Sequence, residues 1–247
     1  MADTPGQRFF FLHIMKTGGA TFRQHVYANF PAGAVYPYKQ LDPDMHTANY
    51  DVAYLLGLPA ERHATIDAYT GHFPFVVTEL LPYDMFTFTI LREPVARTIS
   101  YLKHCKRYHD QHRELTLEQI YDDEFFYRCF IENHQTKVFA MTADDKLQSY
   151  MDWMDVDDRR LQIAKANLAK VDLVGVNERY DDFVAEMRRR FGWTIDEVPN
   201  KRVGAERWEA DDALRRRIAH DNAADVELYE YARELAHEHG RAQAAGS

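Results

Sequence analysis

The chain has 247 residues, of which 46% are hydrophobic and 28% are charged. This balance is typical of a soluble globular protein and excludes a chain that is too polar to bury a core. The formal net charge of −9 argues against a broad nucleic-acid-binding surface, although it leaves room for a local basic pocket that holds a small anion. Two cysteines, Cys105 and Cys129, are too few for a disulfide framework and favour a reducing compartment.

The sequence shows no targeting or membrane-spanning pattern. The apolar run Phe9–Met15 is far shorter than the ~20 residues of a membrane helix, and it lacks the cleavage site of a signal peptide. We therefore expect a cytoplasmic protein with no membrane span and no nucleic-acid partner. Because no linker rich in proline, glycine or serine divides the chain, we expect one domain over residues 1–247, with a disordered tail over about 241–247.

Strand-then-helix units recur along the chain. The three units are Arg8–Met15 with a helix from Ala20, Phe86–Leu91 with the helix Val95–Cys105, and Val171–Val176 with the helix Asp181–Phe191. Further helices are predicted over Leu117–Met141, Asp157–Lys170 and Asp211–His239. The segment Tyr36–Thr65 is predicted to be an irregular insertion with short helices. Continuous apolar strands joined by helices predict the α/β class, with a central parallel β-sheet flanked by helices.

The turn after the first predicted strand has the composition of an anion-binding loop. Gly18 and Gly19 let the backbone turn tightly, and the next helix points its unpaired N–H groups at the same place. Thr17 and Thr21 add hydroxyl donors, and Lys16 adds a positive charge. The alternative is an ordinary turn with a solvated lysine. Because Lys16 precedes the glycine pair, the ordinary Walker-type motif is absent.

The second unit offers a clamp for another phosphate. Arg92 ends the predicted strand, and Ser100 lies about two turns into the next helix, on the face that looks back toward the arginine. A guanidinium and a hydroxyl at one strand end suit a phosphate group. The alternative is a salt-bridged arginine and a serine bonded to its own helix backbone.

A histidine lies in a turn between these two units. Gly71 and Pro74 form the turn, and the aromatic neighbours of His72 partly desolvate its imidazole. An imidazole that stays neutral near pH 7 is suited to taking a proton from an alcohol. A packed or capping histidine is the alternative, and the anion sites on either side favour the base.

These motifs together resemble the sulfotransferases that use 3′-phosphoadenosine 5′-phosphosulfate (PAPS), in particular the branch of the heparan and uronyl 2-O-sulfotransferases and its bacterial relatives. The family's 5′-phosphosulfate loop is similar to His13–Phe22, its 3′-phosphate motif to Leu91–Ser100, and its acceptor-side histidine motif to Gly71–Phe73. Weaker similarities lie in Asn133–Thr136, Gly175–Tyr180 and Asp225–Tyr231. The resemblance implies a P-loop-like three-layer fold.

The resemblance also implies a reaction. The sulfuryl group of PAPS would pass in line to a hydroxyl or amine of a carbohydrate, glycolipid or small-molecule acceptor, with no metal. His72 would act as the general base, and Lys16 would stabilise the leaving phosphate. Met15, Ala20 and Glu93 depart from the residues usual in the family, and Ala20 removes one possible hydroxyl donor.

Binding roles follow from the same resemblance. Arg92 and Ser100 would hold the 3′-phosphate. The basic loop that contains Lys201 and Arg202 would close over the nucleotide, with an exposed charged loop as the alternative. The residues that would wrap the 5′-phosphosulfate are Lys16, Thr17, Gly18, Gly19, Ala20, Thr21 and Phe22.

Other interpretations stay open at this point. A nucleotide kinase would need a carboxylate at a strand end for magnesium, and neither the first nor the second predicted strand ends that way. A catalytically silent module that binds adenosine bisphosphate is the other alternative. His104, His109 and His112 lack the paired spacing of metal ligands and have basic neighbours, so we predict no metal site there.

Overall fold

The computed structural model describes residues 6–145, 154–194 and 208–244. The strands in these ranges are β1 (Arg8–Leu12), β2 (Val35–Tyr36), β3 (Ala68–Tyr69), β4 (Met85–Leu91) and β5 (Leu173–Val176). The α-helices are α1 (Gly19–Asn29), α2 (Met45–Tyr50), α3 (Val52–Leu56), α4 (Ala60–Ala64), α5 (Val77–Leu80), α6 (Pro94–Tyr108), α7 (Leu117–Tyr121), α8 (Glu124–Phe126), α9 (His134–Ala140), α10 (Asp158–Leu168), α11 (Tyr180–Phe191), α12 (Asp212–Asp221) and α13 (Ala223–Ala244). None of these helices is long and apolar enough to cross a bilayer.

The strands form one sheet in the order β2-β3-β1-β4-β5, and every pairing is parallel. Phe9 of β1 pairs with Ala68 on one side and Phe86 on the other. Because parallel strands all end at the same edge, the loops that follow β1, β3, β4 and β5 are neighbours. The predicted parallel sheet is confirmed, and it gathers four loops at that edge.

Helices cover both faces of the sheet. Successive side chains of β1 point to opposite faces, so Phe9 and Phe11 pack with α1 and α11, while Phe10 and Leu12 pack with α9, α10 and α13. A third apolar cluster lies among α6, α7 and α12. The three-layer α/β fold expected from the sequence is therefore confirmed.

Two long predicted helices are interrupted. The segment predicted as one helix over Leu117–Met141 divides into α7, α8, a π-helical turn at Tyr127–Ile131 and α9. Asn133 has a left-handed backbone conformation (φ 45°), which ends one helix and begins the next. The segment predicted as one helix over Asp211–His239 breaks at Asn222, between α12 and α13.

The edge strands and some boundaries also differ from the prediction. β2 and β3 have two residues each, too short to produce an alternating pattern, and the sequence analysis missed them. β1 ends at Leu12 rather than Met15, so His13, Ile14 and Met15 belong to the loop. The segment 36–65 contains the short helices α2, α3 and α4, in agreement with the predicted insertion with short helices.

Candidate active site

The loop between β1 and α1 is held in a fixed conformation by its own residues and by β5. Lys16 has φ 69° and Gly18 has φ 96°, so two residues close together adopt left-handed conformations. The Thr17 hydroxyl donates to the Ile14 carbonyl at 3.1 Å, and the Asn177 side-chain amide donates to the Thr17 carbonyl at 3.0 Å. The loop is therefore fastened from both sides.

The glycine pair leaves no room for a side chain. A Cβ at Gly18 would lie 2.5 Å from the Asn177 Nδ2 atom, and a Cβ at Gly19 would lie 2.2 Å from the His13 ring. α1 begins at this point without a side-chain cap. No described residue accepts a hydrogen bond from the backbone N–H groups of Gly18, Gly19 or Ala20. These N–H groups are available to an anion at the helix start.

Two of the loop residues expected to wrap the 5′-phosphosulfate, Thr17 and Phe22, use their side chains within the protein. Thr17 is fully buried and its hydroxyl already bonds within the loop. Phe22 is fully buried among the rings of Phe11, Phe183 and Trp193, so its side chain belongs to the core. Ala20 is exposed. Thr21 is half-buried, at the first turn of α1.

Arg92 is fixed at the end of β4 by contacts to its backbone and its side chain. The Gln135 side chain accepts from the Arg92 N–H at 3.0 Å and donates to the Arg92 carbonyl at 2.9 Å. One guanidinium N–H of Arg92 donates to the Lys16 carbonyl at 3.2 Å. The Nε atom of Arg92 is buried and has no partner among the described residues. Burial lowers the pKa of Arg92.

A buried polar network positions Gln135. The Asp225 carboxylate accepts from the backbone N–H groups of Gln135 and Thr136 and from the Thr136 hydroxyl. Asn133 accepts from the Asp225 N–H, and Asn222 accepts from the Asn133 N–H at 2.8 Å. The segments 133–136 and 225–231, whose resemblance to the sulfotransferase motifs is weak, therefore supply the framework that holds Arg92.

A cavity of about 510 Å³ opens where the loop after β1 meets α6. Its lining residues are Lys16, Arg92, Ala96, Ile99, Ser100, Lys103, His104, Arg107, Tyr108 and Arg215. Five of these are lysines or arginines, and none is an aspartate or glutamate. The structure thus brings Lys16, Arg92 and Ser100 into one cavity, whose lining carries charge of one sign.

The cations of this cavity repel one another. Burial, and then Arg97 and Arg92, lower the pKa of Lys16. Arg97 itself is fully buried and donates to the Met15 carbonyl at 3.1 Å, just before Lys16 in the loop. Burial, and then Lys16, lower the pKa of His104 to about 4, so its ring is neutral at pH 7. An anion in the cavity would relieve this repulsion.

His72 lies on the other side of the β1 loop and does not line this cavity. Its Nδ1 atom is 2.6 Å from the His13 carbonyl oxygen. Its ring stacks on the Tyr50 ring with centroids 5.0 Å apart and lies tilted against the His13 ring with centroids 4.2 Å apart. Because a carbonyl only accepts, the proton is assigned to Nδ1 and the lone pair of the neutral ring to Nε2. Burial lowers the pKa of His72 to about 4.

Several cavity residues were missed by sequence reasoning. Lys103 and Arg107 follow Ser100 on one face of α6, at positions 100, 103 and 107, and that helical spacing was the available signal. Arg215 belongs to a run of three arginines, and nothing in the run shows which one faces inward. Lys201 and Arg202 lie outside the described residues.

Three histidines, His104, His109 and His112, lie along or just after the C-terminal part of α6. His109 and His112 have ring centroids 5.8 Å apart, and His112 is buried against the Phe126 ring. Over the described ranges, no group of three or more histidine, cysteine, aspartate or glutamate side chains is arranged to hold a metal ion. His104 instead faces the cationic cavity.

Comparisons with known proteins bear on the fold. No family model and no curated protein sequence matches the chain. Among solved structures, a sulfotransferase from Alicyclobacillus acidocaldarius matches with a TM-score of 0.51 and 17% sequence identity. The match covers 95% of this chain and 97% of that one. At this level of identity the likeness shows a shared fold over nearly the whole chain.

Proposed function

We propose that the protein is a sulfotransferase that moves the sulfuryl group of PAPS to a hydroxyl or amine of a carbohydrate, glycolipid or small-molecule acceptor. One observation carries the proposal: Lys16 from the loop after β1, Arg92 from the end of β4 and Ser100 from α6 line the same cavity at the carboxyl edge of the sheet. The fold shared with a known sulfotransferase supports it.

The nucleotide would be held through its two anionic ends. Arg92 and Ser100 suit the 3′-phosphate, because a guanidinium and a hydroxyl together offer several donors from one wall. The N–H groups of Gly18, Gly19 and Ala20 suit the 5′-phosphosulfate, since they lack other acceptors at the start of α1. Lys16 lies next to both groups of donors.

The transfer itself needs alignment and charge stabilisation more than covalent chemistry from the protein. The acceptor oxygen or nitrogen forms a bond to sulfur, and the bond from sulfur to the 5′-phosphate oxygen breaks, leaving its electron pair on that oxygen. Lys16 stabilises the negative charge that develops there. His72 takes the acceptor's proton at Nε2, because Nδ1 carries the hydrogen directed at the His13 carbonyl.

The position of His72 suits an in-line reaction. It follows β3, which lies on the side of β1 away from β4, whereas Arg92 follows β4. An attacking group and a leaving group stand on opposite sides of the reacting atom in an in-line transfer. An acceptor beside His72 and a leaving phosphate beside Lys16 meet that requirement.

A magnesium-dependent kinase is less well supported. The Glu93 carboxylate, which follows β4, caps α6 by accepting from the backbone N–H groups of Val95 and Ala96 at 2.9 and 2.7 Å. Glu178, which follows β5, accepts from the Glu93 N–H and the Tyr229 hydroxyl. The nearest strand-end carboxylates therefore have structural partners, and the cavity lining has no carboxylate for a metal ion.

Transfer from sulfur-labelled PAPS to a panel of hydroxyl and amine acceptors tests the proposal. We expect transfer without added metal, and we expect His72→Ala to lower the rate by about 10²–10⁴-fold while nucleotide binding persists. His46→Ala is the matched control, because the His46 ring also packs against the Tyr50 ring, with centroids 5.1 Å apart, but has no ring contact with His72 among the described residues. Unchanged transfer by His72→Ala would assign the base to another group. Nucleotide binding by the wild-type protein without transfer to any acceptor would favour the silent binding module.

A further inference from the structure

A cationic side chain lies beside His72, on the acceptor side of the β1 loop. Arg23 is in the second turn of α1, four residues after Gly19, at which the helix begins. Its guanidinium donates to the side-chain oxygen of Asn49 at 2.9 Å. The backbone carbonyl of the same asparagine accepts from the His72 N–H at 2.7 Å. One residue of α2 therefore joins Arg23 to the proposed base.

The charge of Arg23 acts on the aromatic rings around His72. Burial lowers the pKa of His72, the hydrogen bond to the His13 carbonyl partly offsets this effect, and the charge of Arg23 lowers the pKa further. Burial, and then His72 and Arg23, lower the pKa of His13. Burial raises the pKa of Tyr50, and Arg23 opposes this shift. The guanidinium is therefore close to the rings of all three residues.

The partners of Arg23 leave its charge unbalanced. Besides the Asn49 side chain, its guanidinium donates to the Tyr27 hydroxyl at 3.1 Å, and both acceptors are neutral. Among the described residues, no carboxylate pairs with it. Arg23 is also only half-buried, and two bonds use two of the five N–H donors of a guanidinium. The remaining donors and the charge are available to a ligand.

The acidic residues of the neighbouring segment have other partners. Asp42 pairs with Arg62 at 2.8 Å. Asp44 caps α2, and Asp51 caps α3 through the Tyr54 N–H. A cation beside a candidate base, in a region whose carboxylates are already bound elsewhere, is suited to an oxyanion supplied by a ligand.

We propose that Arg23 is a specificity-determining residue that binds an acidic group of the acceptor: a carboxylate, a sulfate ester or a phosphate ester. The acceptor's hydroxyl or amine would lie beside His72. This inference rests on the proposed function, since it takes His72 as the base and leaves the α6 cavity to the nucleotide. Because Asn49 contacts both His72 and Arg23, the acidic group and the reacting group belong to one small unit, such as a single sugar residue.

Calorimetric titrations with D-glucose, D-glucuronate and D-glucose 6-sulfate test the assignment. The three sugars differ only at C6, which is neutral in glucose and acidic in the other two. The protein is first saturated with adenosine 3′,5′-bisphosphate, so that the α6 cavity is filled. We expect at least one acidic sugar to bind about tenfold more tightly than glucose, the effect of one charge-assisted contact. The two acidic sugars separate a carboxylate site from a sulfate site.

Three variants show whether Arg23 is responsible. Arg23→Gln keeps a side-chain amide without the charge and should abolish the preference for the acidic sugar, whereas Arg23→Lys keeps the charge and should retain part of it. Arg8→Gln is the matched control, because Arg8 is also half-buried and lies over a tyrosine ring, that of Tyr83 at 3.8 Å, but at the other end of β1. All three should change the bisphosphate affinity by less than about twofold, which also checks that each variant folds.

Equal affinity of the wild-type protein for glucose and both acidic sugars would overturn the proposal, as would an unchanged preference in Arg23→Gln. The transfer assay with PAPS separates these results from the proposed function. If transfer occurs but the acidic sugars have no advantage, the proposed function stands and the role of Arg23 is wrong. If no acceptor is sulfated but an acidic sugar binds in a manner that depends on Arg23 and not on Arg8, the anion site stands and the proposed function fails.

Discussion

At Gly18 both the backbone conformation and a neighbouring side chain require a residue without a Cβ atom. The φ of 96° disfavours any residue with a Cβ, and the Asn177 side chain occupies the place where that Cβ would lie. Asn177 in turn donates to the Thr17 carbonyl. The loop can therefore expose its N–H groups only because this residue has no side chain.

Gly18→Ala should lower the free energy of unfolding by about 3 kcal/mol, from left-handed strain and the loss of the Asn177 hydrogen bond. Gly192→Ala is the control: Gly192 also has a positive φ of 63°, but nothing lies within 4 Å of its added Cβ. There the loss should be about 1 kcal/mol. Urea unfolding measures both. Equal losses would show that the contact with Asn177 does not constrain the loop.

Residue types in the loop were predictable from the sequence, but the directions of their side chains were not. Lys16 and the two glycines have the composition of an anion-binding turn whatever the fold. Thr17 and Phe22 stand at equally suggestive positions, yet one bonds within the loop and the other packs in the core. Which of these side chains face the ligand and which face the protein interior depends on how α1 packs against β1. The amino-acid sequence alone does not show that packing.

Among the elements, α9 has the most direct effect on the candidate site. Its Gln135 bonds both backbone polar groups of Arg92, and its N-terminal N–H groups bond to Asp225 of α13. Two helices that are distant in sequence thus fix the end of β4. Arg92 then presents its guanidinium to the cavity in a defined position.

Gln135→Ala should leave the partly buried N–H and carbonyl of Arg92 without partners and lower the free energy of unfolding by about 2 kcal/mol. We also expect the preference for adenosine 3′,5′-bisphosphate over adenosine 5′-monophosphate to fall, because Arg92 loses its fixed position. Gln119→Ala, which removes a helix-capping glutamine on α7, is the control for stability alone. A preference equal to that of the wild type would contradict the positioning role of Gln135.

Elements defined by their own apolar pattern were predictable, and those interrupted by tertiary contacts were not. β4 and β5 are buried runs whose pattern is local. The ends of α12 and α9 depend on Asn222, which accepts from the Asn133 N–H across 89 positions of sequence. Each asparagine is compatible with a continuous helix by itself, so only their meeting in the fold reveals the two breaks.

Positive charge is concentrated in one cavity of a protein whose net charge is negative. Its net charge is −9, yet five lysines and arginines line one cavity with no carboxylate among the lining residues. The overall charge therefore argues against a broad polyanion surface, while the lining of this cavity concentrates positive charge locally. The absence of a broad basic surface could be predicted from the composition. The local concentration of positive charge could not, because it arises only where α6, α12 and the β1 loop meet in the fold.

Buried histidines make the stability of the whole molecule depend on pH. Burial lowers the pKa of His72 to about 4 and holds the pKa of His13 and of His134 well below the ordinary value of 6.5. The unfolded chain takes up protons at these sites as the pH falls through 6.5, and the folded chain does not. Their contribution to stability is therefore complete above that pH and is lost as the pH falls toward their folded pKa values.

The free energy of unfolding should fall between pH 6.5 and about pH 4, at about 1.4 kcal/mol per pH unit for each histidine that stays neutral. Urea unfolding across this range measures the slope. His72→Ala should lower this slope by the contribution of one proton, whereas Gln119→Ala, which removes no titratable group, should leave it unchanged. A flat profile over this range would show that the three rings are not buried in neutral form.

Binding calorimetry with two nucleotides tests whether Arg92 and Ser100 bind a 3′-phosphate. The wild-type protein should bind adenosine 3′,5′-bisphosphate about 10 to 100 times more tightly than adenosine 5′-monophosphate, the effect of one charge-assisted phosphate contact. Arg92→Ala should abolish the difference, while Arg113→Ala, at an exposed arginine paired with Asp110, should retain it. Equal affinity of the wild-type protein for the two nucleotides would contradict the account.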